Sequence, residues 1–220
     1  MSQEGFTVQH RFIGIAAIWI YVSLSLMYAI TTALGFFALE SPLDPIGDPY
    51  FTMMELLIIL IAPVLVAVMV SVHGYASAET KAYSLLGLAF MTLLSGITSS
   101  VHFVILTVRP HFEMAGIAGE SLFLSFTWPS MAYAVDILAW DVFFPLSVIF
   151  TAFVFRSGGL EKTIRYLLIA SGVLSMLGLI GVPLANMNIR NIGVLGYALV
   201  APVAFLFIAF QFNRTKPRAD

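Results

Sequence analysis

Long apolar runs separated by short polar connections dominate this chain. The first residues are polar and end in His10-Arg11, after which Phe12 to Leu39 is almost continuously apolar. A secretory signal has an apolar core of only about 7–15 residues, so this run predicts a first membrane helix that stays attached. Glu40 to Tyr50, ESPLDPIGDPY, is a loop by composition, rich in proline and acid. Further apolar runs cover 51–72, 82–108, 130–155, 166–185 and 192–212. Each is about 20 residues or slightly more, the length needed to cross roughly 30 Å of hydrocarbon as a helix. None alternates with period two, and all exceed the length of a membrane β-strand. The expected fold is an all-α, single-domain polytopic membrane bundle of six transmembrane helices spanning residues 1–220.

The connections carry an asymmetry. Arg11, Lys81, Arg156, Lys162, Arg165, Arg214, Lys216 and Arg218 fall in one set of polar segments. Only Arg109 and Arg190 fall in the other, beside Glu40, Asp44, Asp48, Glu113 and Glu120. Positive charge favours the cytoplasmic side, so this split predicts that both termini are cytoplasmic, in a cell membrane. It also supports the count of six, because adding or removing a span would scramble the bias.

Composition agrees. The 220 residues are 60% hydrophobic and 10% charged, with a mean hydropathy of +0.98. A soluble domain has about a quarter of its residues charged. The lipid bilayer is therefore the expected partner, with no nucleic acid, since no basic stripe exists. Without cysteine there is no disulfide framework, thiol nucleophile or cysteine-ligated metal.

The candidate chemistry lies inside the spans. A carboxylate at the bilayer centre costs roughly 2.5–3.5 kcal/mol on insertion scales, so intramembrane acids need a partner or a polar cavity. The fourth run, WPSMAYAVDILAWDVFFPLSVIFTAFVFR from Trp128, holds both Asp136 and Asp141. Counting along the helices places Glu55, His102 and Asp136 roughly 8–10 Å below the same boundary, with Asp141 deeper. Ser84, Gly87, Met91, Ser95, Thr98 and His102 recur at helical spacing and form one stripe of the third span. Tyr133, Asp136 and Trp140 share a stripe of the fourth, and Asp141 points about 100° away, to a different neighbour. The expected site comprises Glu55, His102, Asp136 and Asp141 as acid–base groups, with Trp140, Tyr133, Thr98 and Arg190 as ligand contacts.

Three readings suit those residue types. A buried carboxylic acid and a second carboxylate or histidine can donate and remove protons on a hydrophobic small molecule, bound beside Trp140, Tyr133, Phe143 and Phe144. The same acids can titrate or hold a cation in a small transporter, with Pro63, Pro145, Pro183 and Pro202 as kinks. His102, Glu55 and Asp136 are also of zinc- or iron-ligand type, but no helix shows HExxH, ExxH or HxxxH spacing, so neither metal nor cofactor is expected. Facing histidines for a haem are absent, as are a phosphate loop, a Gly-x-Ser-x-Gly elbow and an intramembrane lysine.

The bland alternatives are concrete. Glu55 suits a helix start, where the dipole favours an acid. Asp136 and Asp141 can pair with His102 and Arg190 as structural glue in an accessory subunit. Trp140 suits core packing, the seam Ser171, Ser175, Gly178 and Gly181 suits close helix contact, and Glu161 with Arg165 suits a solvated turn. An enzyme predicts acids converging within hydrogen-bond reach, a transporter a polar path beyond Asp141, and a subunit acids that pair off completely.

Overall fold

The computed structural model describes residues 5–41, 44–116 and 118–217. Of the charges counted above, Arg218 and the side chain of Glu113 lie outside that description. Six helices are long and apolar enough to cross a membrane: Val8–Phe37, Tyr50–Tyr75, Ala78–Phe112, Met131–Ala152, Leu160–Gly181 and Met187–Arg214. In hydrocarbon each backbone N–H and C=O must be satisfied within the chain, which is why such runs become helices. Three spans begin on a side-chain cap. Thr7 forms a capping box with His10, Ser130 accepts from the Tyr133 amide, and Asn186 accepts from the amides of Asn188 and Ile189.

Several boundaries differ from the sequence expectation. The third helix, Lys81–Ala115, runs on through Pro110 where a loop was expected from Arg109. The fifth starts at Leu160 rather than Tyr166, because its basic first turns are helical with Glu161 at the positive end of the dipole. The NMNIRN segment, expected to be a turn, is the capped first part of the sixth span, Met187–Val194. Arg190 is thus a helix residue and not a loop charge.

The spans form a closed ring. Each packs on its successor in the chain, and the sixth returns to pack on the first. An even number of crossings puts both termini at one end, called here the terminal end. The centre is filled by large apolar side chains such as Leu65, Met69, Met91, Phe144, Phe205 and Phe212. Outward positions are equally apolar: Phe12, Trp19, Leu26 and Phe37 are all more than half exposed, as suits a surface bathed in lipid. The predicted stripe of the third span is buried at every position from Ser84 to His102.

The small-residue seam of the fifth span brings backbones together. The Ser171 hydroxyl donates to the Gly196 carbonyl at 2.8 Å. A methyl on Gly178 would stand 2.7 Å from the Arg190 carbonyl oxygen, and one on Gly193 would stand 2.5 Å from Asp141 Oδ1. Such contacts leave no room for a side chain. Gly193→Ala is therefore expected to cost about 1–3 kcal/mol, read as a lower unfolding temperature in detergent; unchanged melting would show that the sixth span can shift outward freely.

At the terminal end the expected solvated turn is instead a buried knot. Glu161 is only 7% exposed. It accepts from the Tyr75 hydroxyl and from the amides of Arg156 and Ser157 at 3.0 and 2.8 Å. Gln211 donates to the Tyr75 oxygen at 2.9 Å, linking spans two, five and six. Arg165 does not pair with Glu161; its guanidinium lies 5.5 Å over the Phe153 ring. Removing the carboxylate strands several donors in a place water reaches poorly. Glu161→Ala should cost about 1–3 kcal/mol or more in thermal unfolding, whereas Glu79→Ala, which loses an exposed ion pair with Arg156, should leave stability unchanged.

Candidate functional site

Three spans each place one ionisable side chain at the same level, near the end opposite the termini. Glu55 sits just over one turn into Tyr50–Tyr75, His102 on the third span, and Asp136 near the start of the fourth. Glu55 Oε2 is 2.8 Å from His102 Nδ1, and Asp136 Oδ1 is 3.4 Å from His102 Nε2. The imidazole therefore stands between two carboxylates and faces one with each nitrogen. Both nitrogens can act as donors or acceptors of a single proton each, so the three groups form a chain along which protons can shift. Burial is graded along it: the side chains of Glu55 and His102 are 4% and 6% exposed, that of Asp136 14%. Asp136 is the open end.

Aromatic rings roof this chain. Phe126, in the connection between spans three and four, has its ring centre 5.1 Å from that of His102 and 6.1 Å from that of Tyr133. The same connection is tied down by Arg109, which pairs with Glu120 at 2.9 Å and lies 4.9 Å over the Phe51 ring. The roof keeps bulk water off the imidazole from that end.

Asp141 belongs to a second, separate arrangement. Its Oδ2 accepts from Arg190 Nε at 3.0 Å and lies 2.9 Å from Nη2, an ion pair between spans four and six with almost no exposure on either side. The guanidinium carbon lies 5.3 Å from the centre of the Tyr133 ring and 5.9 Å from that of Tyr197. Asp141 Oδ1 rests against Gly193 and has no hydrogen-bond partner among the described residues; neither has the buried Thr98 hydroxyl.

Backbone irregularity places this pair. Leu138–Phe143 and Leu195–Val200 are widened π-helical turns within spans four and six. Trp140 and Tyr197 occupy them, their rings 5.1 Å apart, and each precedes a proline, Pro145 or Pro202, by five residues. A proline has no N–H to return to the preceding turn, so the backbone there is free to widen and re-aim side chains. Trp140 packs on Phe144 and Tyr197 in the core.

The eight expected site residues thus fall into parts. Glu55, His102 and Asp136 converge. Asp141 and Arg190 converge with each other, with Tyr133 beside Arg190, while Trp140 and Thr98 line the interior. The His102 imidazole faces one carboxylate with each nitrogen, and this arrangement does not direct three ligands at one point. Among the described residues no group of three His, Asp or Glu side chains could hold a metal ion. Sequence reasoning missed Tyr197 and Phe126. The repeated aromatic-to-proline spacing was a usable signal for Tyr197, and the aromatic run SLFLSFTW for Phe126.

Comparison with known protein families, with curated proteins and with solved structures finds no match. What fold and composition define is a membrane-spanning helical bundle.

Proposed function

We propose that Glu55, His102 and Asp136 are an acid–base relay acting on a hydrophobic small molecule that reaches Asp136 from the bilayer. The convergence of these three groups from three spans, with hydrogen-bond reach on both imidazole nitrogens, carries the reading. In the forward direction Asp136 gives its proton to the molecule, His102 replaces it from Nε2, and the Glu55 carboxyl replaces the His102 proton through Nδ1. Glu55 ends as the carboxylate, and the reverse sequence takes a proton back. A buried set of three carboxylates with one arginine and one histidine reaches neutrality only with two protons shared among Glu55, His102 and Asp136, which supplies a proton to move.

We infer a lateral way in, from a hollow lined by the chain neighbour of Asp136 and not by Asp136 itself. Val135, beside Asp136, lines a lipid-facing hollow of about 420 Å³ with Gly96, Ile97, Ser100 and Val101. The Ser100 and Thr92 hydroxyls in it donate to their own helix at Gly96 and Leu88, so the hollow offers the molecule apolar contact. The bias of lysine and arginine, now eight against one with Arg190 inside the bundle, supports a cytoplasmic terminal end in a cell membrane and a relay in the outer half. Paired Asp141 and Arg190 suit a structural role better than a catalytic one.

The test compares lipid extracts of cells making wild-type protein with extracts of cells making Asp136→Asn at equal membrane level. An enzyme predicts one hydrophobic species depleted and a related one enriched in the wild type only. Identical extracts at equal expression would sink the proposal and leave the transporter and accessory-subunit readings.

A further inference from the structure

We propose a binding site for an anionic phospholipid at the terminal end, in the cleft between the start of the first span and the end of the sixth. A hollow of about 280 Å³ opens there, lined by Val8, Arg11, Phe12, Ile15, Ala16 and Asn213. It lies at the opposite end of the bundle from the relay and does not depend on it.

Arg11 points to the ligand. It is half-buried, and no carboxylate among the described residues pairs with it. Arg109 is paired by Glu120, Arg156 by Glu79 and Arg190 by Asp141, Arg165 lies over the Phe153 ring, and Arg214 is exposed to water, so Arg11 is the partly buried arginine without a partner among the described residues. A guanidinium partly withdrawn from water without a counter-ion lacks the partner that stabilises such burial, and phosphate matches its fork of donors. Asn213, whose side chain carries a neutral amide donor, borders the same hollow. Arg214 and Lys216, both exposed and without an ion-pair partner among the described residues, follow immediately and extend the positive field.

The rest of the lining selects a lipid over a free phosphate. Arg11 is in the first turn of Val8–Phe37 and Asn213 in the last turn of Ala201–Arg214, so the polar part lies at the membrane boundary. From there Phe12, Ile15 and Ala16 lead along the first span towards the hydrocarbon, giving an acyl chain an apolar track below the headgroup. Clustered basic residues favour an anionic headgroup, while a choline headgroup brings its own cation close to Arg214 and Lys216.

The experiment uses the full chain, released from detergent in native mass spectrometry after titration with palmitoyl-oleoyl phosphatidylglycerol or with phosphatidylcholine of the same chains. The first bound lipid should favour phosphatidylglycerol by roughly fivefold, the size expected for one basic residue at the interface. Arg11→Gln should abolish that preference, Arg11→Lys should keep most of it, and Arg165→Gln should leave it intact. Ala16→Trp, which fills the chain track and keeps every charge, should weaken retention of both lipids. Equal binding of the two lipids to the wild type would overturn the site. So would a preference that survives Arg11→Gln, or one lost as readily in Arg165→Gln, since either would mark general surface charge.

Discussion

Asp141→Leu is expected to lower the stability of the detergent-solubilised protein by about 3–5 kcal/mol, and Arg190→Leu by a similar amount. Each leaves the other charge buried at 5% exposure or less with no opposite partner. The size follows from desolvation: the attraction within an ion pair offsets the cost of taking both ions out of water, and a lone ion keeps that cost with nothing against it. Arg190 also rests on Tyr133 and Tyr197, so its loss opens space between spans four and six. The double replacement, Asp141→Leu with Arg190→Leu, removes both charges and should recover most of the loss, because apolar groups of similar volume replace buried ion pairs at little net cost. Monodispersity after graded heating reads all three variants. Single mutants as heat-resistant as the wild type would show that water reaches the pair.

Asp136→Asn is expected to behave in the opposite way, with normal accumulation and a loss of activity of about 10²–10⁴-fold, the usual worth of one general acid–base group. Asparagine keeps the shape and an oxygen that can accept from His102 Nε2, so the packing of the fourth span survives. What it cannot do is carry the exchangeable proton. Glu55→Gln tests the inner end in the same manner, because the amide still reaches His102 Nδ1 but interrupts proton return. The sequence alone leads one to expect Asp136→Asn and Asp141→Asn to act alike, both abolishing function in a folded protein. The structure separates them, and the rate of conversion of the lipid species that distinguishes wild-type cells, set against expression level, measures the separation. If Asp136→Asn and Glu55→Gln both retain full activity, the relay carries no proton in the reaction.

Burial depth was legible from the chain, but side-chain direction was only partly so. Helical rise alone put Glu55, His102 and Asp136 at one level, and they meet there. The reading of Asp141 as turned towards another neighbour is also seen: Asp136 faces His102 of the third span and Asp141 faces Arg190 of the sixth. Arg190 was expected in a connection because a charged residue among asparagines resembles a loop, whereas the Asn186 cap starts a helix there; its pairing with Asp141, named as an alternative, is seen. Glu161 was misjudged. Its local surroundings are basic and polar, and its partners Tyr75 and Gln211 lie in distant spans.

Hydrophobic length determined the helices, since lipid forces every long apolar run to satisfy its own backbone, and that requirement acts locally along the chain. Which carboxylate bonds to which cation is settled by the order in which the helices close into a ring and by glycine contacts that let spans four, five and six approach closely. Those distances connect residues far apart in sequence, so periodicity within one run carries no record of them.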